Sequence, residues 1–163
     1  MKVKKEKKKE EKELLTVHSS IDAEQPYHYS AGRYRSRFFV ELRDNRKFIG
    51  VRCPNCRRVY SPPKEVCGSC FRKMEEPVDV GPQGTIITFT IVRFGFVDPE
   101  TGTKKPVPYA SGCIQLDGAD NTISHFIGYD DESKVRVGAR VEPVFAEERI
   151  GNLKDIKHFR VID

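Results

Sequence analysis

The sequence contains no apolar run near the roughly 20 residues that a membrane-spanning helix needs. Its first residues, Met1-Lys2-Val3-Lys4-Lys5-Glu6, are charged and lack the apolar core of a secretory signal. A soluble cytoplasmic protein with no membrane partner is therefore the expectation. No Ser/His/Asp constellation, glycine loop for phosphates or convincing carboxylate pair is present, and there is no internal repeat. No catalytic residue is assigned on these grounds. Lys and Arg are missing altogether from residues 110–129. Oligonucleotide binding by that stretch would need basic residues interleaved with aromatics.

The net charge is +5, but seven of the 29 Lys+Arg and four of the 24 Asp+Glu fall in residues 1–13. The remaining 150 residues carry only +2, and four metal-bound thiolates would bring them near neutrality. A dedicated nucleic-acid binder would show a strongly basic stripe instead. Residues 1–13 have no apolar periodicity and read as a disordered, solvated tail, with an electrostatic arm as the sharper alternative. Residues 14–48 read as an arm followed by a helix. In the arm, Gln25-Pro26-Tyr27-His28-Tyr29 is extended, and His18 and His28 are exposed polar residues.

The helix is predicted over 33–47. Tyr34, Phe38, Phe39 and Leu42 fall on one broad face at helical spacing, and six arginines and lysines take much of the rest. That face can pack on its own domain. It can also dock a partner, because the two adjacent phenylalanines widen the stripe beyond what one small domain easily covers.

The strongest signal is Cys53-Pro54-Asn55-Cys56 followed by Cys67-Gly68-Ser69-Cys70. Each CxxC turn presents two sulfurs to one ion, and two such turns close a tetrahedral four-thiolate shell, which zinc favours. Iron in a rubredoxin-like site is chemically possible with the same ligands. Four protein ligands leave no open position, so the expected single zinc folds residues 49–80 and does not catalyse. Gly68 is read as fitting the tight backbone of its turn, and Pro54 as stiffening the other.

Residues 81–163 read as all-β. Strands are predicted at 84–94, 109–117, 121–129, 138–147 and 155–162, separated by turn signals such as Asp117-Gly118-Ala119-Asp120. Five strands in about 80 residues fit a small closed barrel of the OB type, with a sandwich as the alternative. Residues 95–108 form a long loop, read either as a mobile connection or as a segment reaching over a ligand. Cys113 is a small buried apolar residue, and His125 and His158 are satisfied structural histidines. The overall expectation is a mainly β chain with an N-terminal helix, a rubredoxin-like zinc ribbon and a five-stranded OB-fold barrel.

The order of motifs resembles a known family. A Phe-rich helix precedes Cys53-x-x-Cys56, Tyr60-Ser61-Pro62-Pro63 and Cys67-x-x-Cys70. Then come Gly84-Thr85-Ile86 with Thr88-Phe89-Thr90, Pro108-Tyr109 and Val137-Gly138-Ala139-Arg140-Val141. Over about residues 33–147 the chain is similar to the zinc-ribbon/OB-fold family of acyl-CoA-associated proteins, long described as a domain of unknown function. The resemblance extends to the small subunit of benzoylsuccinyl-CoA thiolase, to archaeal acetoacetyl-CoA thiolase/synthase scaffolds and to bacterial sterol side-chain aldolases. It implies a non-catalytic subunit of a thiolase-type acyltransferase complex, stabilising a thiolase-like partner and holding or channelling acyl-CoA. It places zinc on Cys53, Cys56, Cys67 and Cys70 and implies no catalytic residue here. Tyr34, Phe38, Phe39 and Leu42 are the candidates for partner binding, and Arg37, Arg43 and Tyr109 for the coenzyme A thioester, since guanidinium groups hold phosphates well. The alternative is a nucleic-acid-binding zinc-ribbon/OB protein.

Overall fold

The computed structural model describes residues 30–95, 97 and 102–162. The charged tail, the arm with His18, Tyr27 and His28, and part of the 95–108 loop lie outside the described residues. Among the described residues, no helix is long and apolar enough to cross a membrane.

Helix α1 runs Arg33–Asn45, two residues shorter than its pattern predicts. Arg46 turns left-handed with φ 54° and ends it, so the chain reverses into the first strand without a glycine or proline. Three strands follow around the cysteines: β1 (Phe48–Arg52), β2 (Val59–Tyr60) and β3 (Glu76–Val80), in the antiparallel order β2-β1-β3. The remaining five are β4 (Gly84–Val92), β5 (Tyr109–Leu116), β6 (Thr122–Gly128), β7 (Arg140–Phe145) and β8 (Ile156–Val161). They close a barrel in the order β4-β5-β6-β8-β7, with β6 and β8 parallel and every other pair antiparallel. Each predicted strand is present, shortened by a residue or two at one or both ends.

Alternation explains the barrel interior. Ala110, Ile114 and Leu116 of β5 and Ile123 and Ile127 of β6 point inward and are buried, as are Ile86, Val141, Ile156 and Phe159 from the other strands. At Gly112 an added Cβ would lie 2.4 Å from the Thr88 carbonyl oxygen, so only glycine allows β4 and β5 to approach there.

The same core continues into the N-terminal elements. Phe38 and Leu42 of α1, Phe48 and Ile49 of β1, Val59 of β2 and Val80 of β3 all belong to it. The Phe48 ring sits 6.3 Å from Phe38, 6.1 Å from Phe145 and 6.2 Å from Phe159, between centroids. It therefore joins helix, ribbon and barrel. A second, smaller cluster lies under the cysteines: Val51, Cys53, Tyr60, Cys67 and Met74, with Tyr34 and Cys70 packed against it.

Polar contacts fix the ribbon to the turn between β5 and β6. The Val59 amide donates to Asp120 Oδ2 at 2.8 Å, and the Asp120 amide donates back to the Val59 carbonyl at 2.8 Å. Ser61 N–H donates to Asn121 Oδ1 at 2.8 Å and the Asn121 amide donates to the Ser61 carbonyl at 3.0 Å, while the buried Ser61 hydroxyl donates to the Ile49 carbonyl. On the other flank, Arg149 Nε donates to the Arg43 carbonyl at 2.6 Å, holding the β7–β8 loop against α1. That loop is ordered by Asp155, a buried carboxylate that accepts from the Ile150 and Gly151 amides at 2.8 Å each.

Candidate metal centre

Two turns with the same hydrogen-bond pattern carry the four cysteines. Cys53 N–H donates to the Arg58 carbonyl at 2.8 Å and Arg57 N–H to the Cys53 carbonyl at 3.1 Å. Fourteen residues on, Cys67 N–H donates to the Arg72 carbonyl at 2.8 Å and Phe71 N–H to the Cys67 carbonyl at 3.1 Å. In each turn the residue after the second cysteine is left-handed: Arg57 has φ 62° and Phe71 φ 57°. Glycine is the low-cost residue there, and a side chain costs about 1–2 kcal/mol. Gly68, expected to supply the special backbone, does not. It has no positive φ, and an added Cβ would meet only the Tyr60 hydroxyl at 3.4 Å.

The four Sγ atoms lie within 4.8 Å of one another, with Cys53–Cys70 at 3.4 Å and Cys56–Cys67 at 3.5 Å. A tetrahedron with metal–sulfur bonds of about 2.3 Å has edges of about 3.8 Å, so the sulfurs fit one ion of that size. Backbone donors favour the thiolate at Cys67 and Cys70. The Ser69 amide, 3.4 Å from Cys67 Sγ, and the Cys70 amide lower the Cys67 thiol to about 6 against the effect of burial. The Arg72 amide lowers Cys70 likewise. At Cys56 the Arg58 amide pulls the same way, but burial and the hydrogen bonds shared with the other sulfurs outweigh it and push that thiol up to about 11. A cation among the four sulfurs would favour the thiolate at Cys56 as well. Cys53 and Cys67 are completely buried. Glu76 ties the first turn to β3, taking Arg52 at 2.8 Å and Arg57 at 3.0 Å.

The other candidates are distributed differently. Phe38 and Leu42 are completely buried in the chain's own core, and Phe39 packs against it. Tyr34 packs beside the cysteines and donates its hydroxyl to the Met74 carbonyl at 2.7 Å. The apolar face of α1 thus joins ribbon to barrel, and of the four residues expected to meet a partner, Phe38 and Leu42 have no exposed surface to offer while Tyr34 and Phe39 are half-buried. Arg37 lines a hollow with Arg33, Tyr34, Glu75 and Pro77. Arg43 pairs with its neighbour Asp44 at 2.7 Å. Tyr109 packs edge-on against Phe126, with Lys105 Nζ over both rings. The three thioester candidates therefore stand on separate surroundings.

Sequence reading missed a hollow of about 410 Å³ on the barrel flank, lined by Ser111, Ser124, His125, Phe126, Leu153 and Lys157 among others. Its signal was His125. That ring faces Leu153 with Nε2 3.2 Å from the carbonyl, but Nδ1 is buried with no hydrogen-bond partner among the described residues, so the histidine is only half satisfied. Burial lowers its pKa, partly opposed by the Leu153 carbonyl. His158 is lowered too, by burial first and then by His125. The folded chain binds these protons less readily than the unfolded chain. Stability is therefore complete above the ordinary imidazole value of about 6.5 and falls as pH drops below it. The unfolding midpoint should decline between about pH 7.5 and about pH 5.5, and His125→Gln should flatten that decline. An equally steep decline in the variant would place the titration elsewhere.

The comparisons with known proteins agree with this geometry. Residues 40–75 match the family model "ChsH2, rubredoxin-like zinc ribbon domain", and residues 77–146 match "ChsH2, C-terminal OB-fold domain". A DUF35 domain-containing scaffold protein of Methanocaldococcus jannaschii is 32% identical over 110 residues, covering 67% of this chain and 74% of that one. Its counterpart in Pyrococcus furiosus is 27% identical over 109 residues, covering 67% and 76%. Among solved structures, a DUF35-family protein from Sulfolobus solfataricus superposes with a TM-score of 0.57 at 24% identity, covering 77% of this chain and 83% of that one. A chain of the Ltp2-ChsH2(DUF35) aldolase does so with a TM-score of 0.57 at 17% identity, covering 82% and 98%. These last two likenesses are of fold. With its ribbon, its barrel and its similarity to the Methanocaldococcus scaffold protein, the chain belongs to the DUF35 family.

Proposed function

We propose that the chain is the non-catalytic, zinc-binding subunit of a thiolase-type acyl-CoA enzyme complex, stabilising a thiolase-like partner and helping to hold acyl-CoA. The observation that carries the reading is a closed four-thiolate centre in a scaffold-family chain. Four protein ligands leave one zinc ion no position for substrate, so the metal cross-links the two turns and the chemistry belongs to another subunit. The solved aldolase that shares the fold is itself named as a complex containing a DUF35 chain, which supports an enzyme partner.

A nucleic-acid role is disfavoured by charge. The strands spanning 110–129 carry no Lys or Arg. Affinity capture of the chain from its native host at moderate salt, with mass spectrometry of the bound proteins, tests the proposal. A thiolase-like subunit in stoichiometric amount is expected. Recovery of RNA or DNA alone, with affinity falling steeply as salt rises, overturns it. Calorimetry of the isolated complex with acyl-CoA tests the thioester role separately, and no heat of binding removes it.

A further inference from the structure

Phe71 combines two features on the second cysteine turn. It occupies a left-handed backbone position, φ 57°, where glycine would be unstrained. Its side chain is also 80% exposed, and no large apolar residue among the described residues is more so. Beside it, Val66 is 50% exposed and bridges to Lys73 across the same turn. The left-handed backbone belongs to the cysteine turn and is shared by Arg57, so it is the exposure of Phe71, with Val66 beside it, that points to a surface covered in an assembly.

We infer that this second cysteine turn, with Phe71 at its tip and Arg72 and Lys73 beside it, docks the chain into an apolar pocket with an acidic rim on its enzyme partner. The inference rests on the complex proposed above and names the surface that forms it. The charges select the occupant. Lys64, Arg72 and Lys73 are exposed with Glu65 and Glu75 among them, Arg57 and Arg58 stand on the matching first turn, and Glu76 is already taken by Arg52 and Arg57, so the cations outnumber the acids. A second copy of this chain would bring like charge against like. A nucleic acid would need the basic track to continue over the barrel, where residues 110–129 hold no cation. An acidic protein pocket meets both the ring and the charges, in the arrangement of a buried aromatic anchor with a polar rim.

The two turns supply a matched control. Phe71→Gly and Arg57→Gly relieve the same backbone conformation, but only the first removes the anchor. In the reconstituted complex with the thiolase-like subunit, Phe71→Gly should weaken binding by about 30-fold or more, with metal content intact and the unfolding midpoint unchanged or raised. Arg57→Gly should stay within about threefold. Charge reversal at Arg72 and Lys73 should slow association and reduce its salt dependence. Wild-type affinity in Phe71→Gly overturns the inference and leaves the complex standing. Failure of the wild-type chain to bind a thiolase-like subunit overturns both. A lowered midpoint accompanying the lost affinity gives Phe71 a structural role and overturns it. So does Phe71-dependent binding of a single-stranded oligonucleotide, or self-association that Phe71→Gly abolishes.

Discussion

Replacing Cys67 with serine is expected to abolish metal retention and to unfold the ribbon. The small cluster under the cysteines has only five buried members, and Cys53 and Cys67 are two of them. Without the ion, Val51, Tyr60 and Met74 are left to hold the two cysteine turns in place, which is too little apolar area for a segment of this length. A structural zinc contributes about 10–16 kcal/mol of apparent binding energy to such a fold. The loss should be local at first. Barrel residues such as Ile86, Ile114 and Phe159 make no use of the cysteines, whereas Phe48, Ile49, Val59 and Val80 belong to the shared core and transmit part of the damage. Elemental analysis should give one zinc per wild-type chain and none in Cys67→Ser. Amide exchange should show protection lost across residues 48–80 and partly retained in β4 to β8. Cys113 lies apart from the four ligands, beside Ser124, so Cys113→Ser should keep its metal. A metal-free chain with a fully protected ribbon would remove the structural role. Iron in the purified chain, with the colour of ferric thiolate, would replace zinc while leaving the architecture intact.

How much of this was legible depended on whether the signal was local. The two CxxC pairs state their chemistry in four residues each, and the strands from Gly84 onward state theirs by alternation and turn residues. Both need only neighbours in sequence. The left-handed residues after Cys56 and Cys70 were not legible, because Arg57 and Phe71 are not residue types that announce a positive φ. Gly68, the residue type that does announce one, has no positive φ. Asp117 and Asp120 illustrate the limit further. In sequence they are two acids that would repel phosphate. In the structure Asp120 pairs with the backbone of Val59, 61 residues away, and Asp117 takes the Arg140 guanidinium through both oxygens at 2.7 and 2.6 Å. That bidentate pairing holds the Asp117 carboxyl below its ordinary range. Ser61 likewise reads as part of a Ser-Pro-Pro motif, yet its role is a hydrogen-bonded seam with Asn121. Long-range partners of this kind leave no periodicity to read.

The face of α1 shows the same limit with a consequence for experiment. An amphipathic pattern says that one side of a helix is covered, not by what. Here the cover is the chain itself: Phe38 meets Phe39 edge-on at 5.5 Å and Phe48 at 6.3 Å between ring centroids, and it is 0% exposed. Phe38→Ala is therefore expected to cost about 3–5 kcal/mol of folding stability, the range for emptying a buried phenylalanine site. For a unit of this size that lowers the unfolding midpoint by about 10 °C or more. The cavity would open where helix, ribbon and barrel meet, so chemical denaturation should show all three losing stability together. A weakened enzyme complex in this variant would then follow from unfolding and should recover on cooling to where the chain is folded. A partner interface on Phe38 would behave differently: complex formation would fall at every temperature while the midpoint of the isolated chain stayed at the wild-type value. The two outcomes separate a residue that builds the scaffold from one that presents it, and complete burial of the Phe38 ring favours the first.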